Sequence, residues 1–480
     1  MHTRHLVLAL TLTAGLYLIS VPAPAQTFNL LHSFSALTNG TNSDGGAPYA
    51  TLVLSSNTLY GTTYNGGANS NGTVFAVNTD GTGFTNLHTF TARSGLLHTN
   101  ADGVQCIDGV LLSGNTLYGT TGSGGTAGRG TIFAVNTDGS GFTNLHNFNG
   151  NSDGSATIGR LVLSGNTLYG ASQTGGSNGV GNIFAINTDG SGYTNLHAFA
   201  AYSFNTNTEG GQPVAEMVFS GNTLFGTTVL GGFWGKGSVF RMNMDGTGFT
   251  NLHNFTALVS GTNSDGAQPF SGLALAGNTL FGTAFYGGTS SNGTLFRMNT
   301  DGSGFTNFHS FTTLINGINS DGANPPGRLF LSGNTLYGTT SAGGSASNGT
   351  VFVVNTDGSG FKTLYNFTPT HNGTNSDGAG PVSGILSSNV LYGLAHSGGS
   401  GSNGTVFSLF IPPPLTLGLS GTNVVLTWPT NADGFILQST TNLSIPTAWG
   451  PVSPAPTNFN EQYVVTNSRY GGPMFYRLIR

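Results

Sequence analysis

Short apolar runs alternate with glycine-rich polar turns along most of this chain. The phrase Asn-Thr-Leu-Tyr/Phe-Gly ends at Gly61, Gly119, Gly170, Gly226, Gly282 and Gly338, and a Val variant that begins at Asn389 ends at Gly393. Around each glycine lie four extended segments. Strand a is a short apolar triplet such as Leu161-Val162-Leu163, and strand b carries the phrase itself, as at 334–340. Strand c begins Gly-Thr-Val-Phe, as at 349–352, and strand d reads Phe-Thr-Asn-Leu-His-x-Phe, as at 249–255. Ser-Gly-Asn joins a to b, and Asp-Gly joins c to d, both good turn chemistry. No segment keeps a helical period. The pattern predicts an all-β repeat protein.

Strand d occurs seven times, at 28–34, 84–90, 142–148, 193–199, 249–255, 305–311 and 361–367. Its first copy precedes the first a-b-c set, and the last a-b-c set, ending at Phe410, has none after it. A ring accounts for this offset, with the N-terminal strand completing the last unit. The expectation is a seven-bladed β-propeller over residues 26–410, with a β-solenoid as the alternative. Propeller blades run about 40–50 residues, solenoid rungs about 20–45.

Leu-Tyr-Gly-Thr-Thr, Gly-Gly, Gly-Thr-Val-Phe and Asn-Thr-Asp-Gly, recurring in that order over about 28–410, resemble the GloVer repeat of Gloeobacter and Verrucomicrobia proteins. The pattern is also loosely kelch-like, without the kelch tryptophan. The GloVer resemblance implies an exported bacterial protein and implies no activity.

Residues 1–25 read as a signal peptide, with Arg4 in the basic region, an apolar run to Val21, and Ala23-Pro24-Ala25 before Gln26. Secretion or a place in the cell envelope follows, with no membrane span after cleavage. The prolines of 411–414 form a stiff linker. Residues 415–480 read as a small β-sandwich similar to a fibronectin-III module, with strands at 415–428, 434–440, 461–466 and 474–479.

Only 6% of the chain is charged, and 12 Lys and Arg give no basic stripe for nucleic acid. Cys106 is the single cysteine and reads as a buried small hydrophobe. Six of the 17 carboxylates repeat at the c–d turn, and seven repeat in the d–a connection (Asp44, Asp102, Asp153, Glu209, Asp265, Asp321, Asp377). Side chains copied in every unit read as structural. So do the repeated histidines His32, His88, His146, His197, His253 and His309, replaced by Tyr365 in the seventh copy. The Asn-Gly-Thr-Asn-Ser-Asp-Gly loops at 39–45 and 372–378 hold one carboxylate each, thin for calcium. No metal or cofactor is expected.

The b–c and d–a connections are long and varied and share one face, where binding residues concentrate. Candidate ligand contacts there are Trp234, Tyr64, Phe285, Tyr286, Phe233 and Lys236. The expected function is non-catalytic binding or scaffolding by a monomer, with a glycan or cell-surface protein as partner. A carbohydrate-active enzyme and a purely structural envelope protein are the alternatives. An enzyme would require the non-repeated Asp108, Glu216, His98, His371 or His396 to converge in one pocket.

Overall fold

The structure, a computed structural model, describes residues 8–10, 19–20, 26–95, 98–214, 216–413, 415–421, 423–430, 435–441, 449–460, 462–468 and 474–479. These residues are all β, and none forms a helix long and apolar enough to cross a membrane. Most of the expected signal peptide lies outside them. Leu8–Leu10 and Ile19–Ser20 are short strands, the former antiparallel to Met474–Ile479.

The repeat forms seven antiparallel sheets of the same design. Sheet 1 runs Val53–Ser55 (a), Thr58–Thr63 (b), Thr73–Asn78 (c) and Thr85–Thr89 (d). Sheets 2–6 repeat it in chain order, sheet 4 gaining the short strand Gly211–Pro213. Sheet 7 takes Ala379–Ser387, Val390–Ser397 and Thr405–Phe410 from the end of the repeats and Thr27–Ser33 from their beginning.

The repeated residues explain this design. Each strand-b glycine pairs with a strand-c phenylalanine, as Gly61 with Phe75. A Cβ on Gly61 would sit 2.5 Å from the Phe75 ring, so only glycine leaves room for it. At the c–d turn, Asp80 Oδ1 accepts hydrogen bonds from Thr82 N at 2.9 Å and Oγ1 at 2.7 Å. The same bonds recur at Asp138, Asp189, Asp245, Asp301 and Asp357.

Between sheets, the phenylalanine after each strand d packs edge-on against the strand-c phenylalanine of the next sheet. Phe90 meets Phe133 at 5.6 Å, and Phe367 meets Phe407 at 5.3 Å. Phe34, which follows the N-terminal strand of sheet 7, meets Phe75 of sheet 1 at 5.5 Å. Leu31, Phe34, Leu394 and Val406 share one buried cluster with Leu52, Leu59 and Phe75. The last sheet thus packs on the first.

The C-terminal residues form two further sheets. One holds Thr416–Ser420, Asn423–Pro429, Gln462–Ser468 and Thr457–Phe459; the other holds Ile436–Thr440, Gly450–Pro451 and Met474–Ile479. Leu426, Trp428 and Val465 of the first share a core with Leu437, Tyr476 and Leu478 of the second. The stretch 415–428, expected as one strand, is a hairpin. Gly421 takes a left-handed φ of 58° and turns the chain there.

Candidate functional site

The chain enters strand a of every sheet through a fixed register. The residue five positions after the repeated acid is Tyr49, Ile107, Ile158, Val214, Phe270, Pro326 or Val382. All seven line one cavity of about 400 Å³. The next two positions break the repeat with charge: Asp108, Arg160, Glu216 and Arg328 line the same cavity. Asp108 and Glu216 are the only carboxylates of 26–410 outside the repeated positions.

Glu216 bridges the two arginines. Its Oε1 lies 3.4 Å from Arg160 Nη1, and its Oε2 lies 3.1 Å from Arg328 Nη1. Arg160 Nε also donates to the Val110 carbonyl at 3.0 Å. The Arg328 guanidinium stands 5.9 Å from the Phe330 ring centroid. Asp108 differs. Its Oδ2 is shut off from solvent with no hydrogen-bond partner. Burial, then the nearby Glu216 charge, push its carboxyl well above the ordinary range. Asp108 is thus a buried carboxyl with a raised pKa beside a Glu216 that pairs with two arginines.

Aromatic rings make part of the wall. Phe285 meets Phe270 at 5.4 Å and Tyr286 at 4.8 Å, both edge-on. Across the cavity Tyr49 stacks on His396 at 5.1 Å and meets Tyr64 edge-on at 5.7 Å. Tyr49, Phe270 and Tyr286 remain 37%, 38% and 43% exposed, unusual for large apolar side chains with a core beside them. Thr51 Oγ1 and Ser383 Oγ lie 3.0 Å apart, joining the first repeat to the seventh at the cavity wall.

Phe285 and Tyr286, expected as ligand contacts, line this cavity. Tyr64 stands one ring behind Tyr49, and its hydroxyl accepts from Gln105 Nε2 at 2.9 Å. Phe233 and Trp234 form an edge-on pair at 4.9 Å on the b–c loop of sheet 4. They are 66% and 48% exposed, share that loop with Lys236, and do not line the cavity. Of the five residues named for an enzyme, Asp108 and Glu216 come together. His98 and His371 sit on d–a loops and do not line the cavity, while His396 touches it through Tyr49. Arg160, Arg328, Tyr49 and Phe270 escaped the sequence reading. Their signal was available: each departs from its neighbours at a fixed register before strand a.

The repeated acids are occupied elsewhere. Each strand-d histidine places Nε2 2.8–3.2 Å from the acid of its d–a connection, and Tyr365 replaces it toward Asp377 at 2.7 Å. Those acids also accept from the backbone N–H after the buried phenylalanine, as Asp102 does from Thr91 at 3.1 Å. The 39–45 loop is closed by Asn42, whose amide donates to Ser35 O and Gly45 O. Cys106 is buried, its Sγ donating to Thr120 O at 3.1 Å, and burial pushes its thiol up to about 12, which leaves it inert.

These features define an all-β tandem-repeat protein built from four-strand antiparallel sheets. The chain belongs to the Gloeobacter/Verrucomicrobia repeat family, whose pattern matches residues 17–201 and 200–319. No curated protein matches it. Among solved structures it is similar to oligogalacturonate lyase from Vibrio parahaemolyticus (10% identity, 81% of this chain and 97% of that one, TM-score 0.46). It is also similar to TolB from Acinetobacter baumannii (10% identity, 79% and 76%, TM-score 0.34). The tricorn protease matches at 11% identity and TM-score 0.38 over 80% of this chain, which spans only 33% of that protein.

Proposed function

We propose that the chain is an exported seven-bladed β-propeller that binds a small polar ligand, such as the terminal unit of a glycan, in the cavity before its a strands. One observation carries this reading. Residues at a single register of all seven repeats meet around one cavity, and the charged departures from the repeat collect there. Ring closure is supported by the Phe34–Phe75 contact and by Thr27–Ser33 completing the last sheet. The cavity volume lies at the small end of the 300–1,000 Å³ usual for small-molecule sites. Its aromatic wall suits a sugar face, and its polar groups suit hydroxyls. Residues 1–25 serve export, and residues 415–480 are a fibronectin-III-like module.

The chain from Gln26, applied to glycan and cell-envelope arrays, tests this. Binding lost in Phe285→Ala and kept in Trp234→Ala supports the cavity. The reverse result moves the ligand to the 231–237 loop. No binding to any target overturns the reading in favour of a structural envelope protein.

A second reading rests on Asp108 and Glu216. The two line one cavity in different surroundings, Asp108 without a hydrogen-bond partner at Oδ2 and Glu216 between two arginines, and acid–base cleavage of a glycoside needs two carboxyls set apart in this way. Release of reducing ends from a bound polysaccharide, abolished in Glu216→Gln, would establish it.

A further inference from the structure

We infer that the ligand of this cavity is an acidic sugar whose carboxylate sits against Arg160 and Arg328. The inference rests on the cavity reading and names its ligand class.

Charge makes the first argument. Two guanidiniums share one carboxylate, so the ion-paired trio carries one positive charge in excess, in a chain of net charge −5. Hydrogen bonding makes the second. Glu216 takes one Nη1 from each arginine, and Val110 takes Arg160 Nε. Arg160 Nη2 and Arg328 Nε and Nη2 have no partner among the described residues. Both side chains are largely buried, 14% and 26% exposed. These open donors line the cavity, and a ligand carboxylate fills a guanidinium edge with two parallel bonds. Shape makes the third. Phe270, Phe285 and Tyr286 present ring faces that a simple inorganic anion would leave bare. A neutral sugar would leave the arginines unmet, and a cation would be repelled.

Calorimetric titration of the chain from Gln26 at pH 7 with glucuronate, glucose and sulfate tests this. Glucuronate should bind at least tenfold tighter than either of the others and should weaken as salt rises. Arg328→Ala should cost tenfold or more, with Arg328→Lys intermediate because charge survives without the fork. Glu216→Gln should tighten glucuronate several-fold by removing the competing negative charge, an effect that a purely structural Glu216 would not give. If Glu216→Gln does not fold, the Arg328→Lys titration decides. Glucose binding as tightly as glucuronate, with the loss of both in Phe285→Ala, overturns the acidic class and leaves the cavity reading intact. Sulfate binding as tightly as glucuronate overturns the sugar. No binding of any probe overturns the inference, and unaltered array binding in Phe285→Ala would take the cavity reading with it.

Discussion

His88 Nε2 lies 2.8 Å from Asp102 Oδ2, and the same imidazole stacks on Phe142 of the next sheet at 3.7 Å. One repeated side chain thus fixes its own d–a connection and the neighbouring sheet. Asp102 also accepts from Thr91 N at 3.1 Å and Oγ1 at 2.5 Å. Burial raises its pKa, but the bonds from His88 and Thr91 outweigh it, and the carboxyl lies below its ordinary value. A depressed carboxyl stabilises the fold above the unfolded pKa of about 3.9 and loses that contribution as pH falls through the folded value. Asp102→Asn should therefore cost about 1–3 kcal/mol in urea unfolding at pH 7. The difference from the unmodified chain should shrink below about pH 4.

Gly119 faces the tip of the strand-c phenylalanine Phe133, its missing Cβ 2.4 Å from the ring Cζ. Phe133 is fully buried and has nowhere to retreat. Gly119→Ala should cost about 1–3 kcal/mol through overpacking. Gly114, in the a–b turn, has φ +57° and nothing within 4 Å of its would-be Cβ. Gly114→Ala should cost about 1 kcal/mol from left-handed strain alone, and Gly114→Asn less. Denaturant midpoints of the three variants separate a steric requirement from a conformational one.

Phe34 provides the test of closure. Phe148, in the middle of the repeats, packs on Phe184 at 5.5 Å, the distance at which Phe34 packs on Phe75. Phe148→Ala should cost about 3–5 kcal/mol. In a closed ring Phe34→Ala costs the same, since its buried cluster holds Leu394 and Val406 of the last repeat as well as Phe75 of the first. A loss under half that of Phe148→Ala would mean that the first and last sheets part easily.

The sheets could be read in advance because strand b, strand c and the Asp-Gly turn are spelled out seven times. Repetition also separated structural acids from the rest, and Asp80 and Asp102 do what copied side chains usually do. The cavity was harder to see. It is built where the repeat varies, just before strand a, and no local pattern indicates that Asp108 and Glu216 approach each other across the sheets. Arg160 and Arg328 look like scattered surface charges until the register is aligned. Trp234 attracted attention by its size and its glycine neighbours, although it and Phe233 meet edge-on and do not line the cavity. The hairpin at 415–428 was missed although Ser420 and Asn423 flank Gly421 with the turn chemistry seen between strands a and b, and Gly421 takes the left-handed φ that such a turn needs.

Asp108 allows the sign of a charge effect to be tested inside the cavity. Its carboxyl is raised by burial and by Glu216, so the folded chain keeps a proton that the unfolded chain releases above about pH 3.9. Stability contributed at this position therefore falls as pH rises from about 4 toward the raised folded value. Asp108→Asn removes the titration while keeping shape and a donor. The variant should melt higher than the unmodified chain at pH 7, with the gain vanishing as pH approaches 4. Melting curves from pH 4 to 8 check this. A lower melting temperature for the variant at pH 7 would mean that Asp108 is ionised in the fold and stabilised by the arginines. The cluster would then be neutral overall, and the preference for an anionic ligand would lose its electrostatic basis.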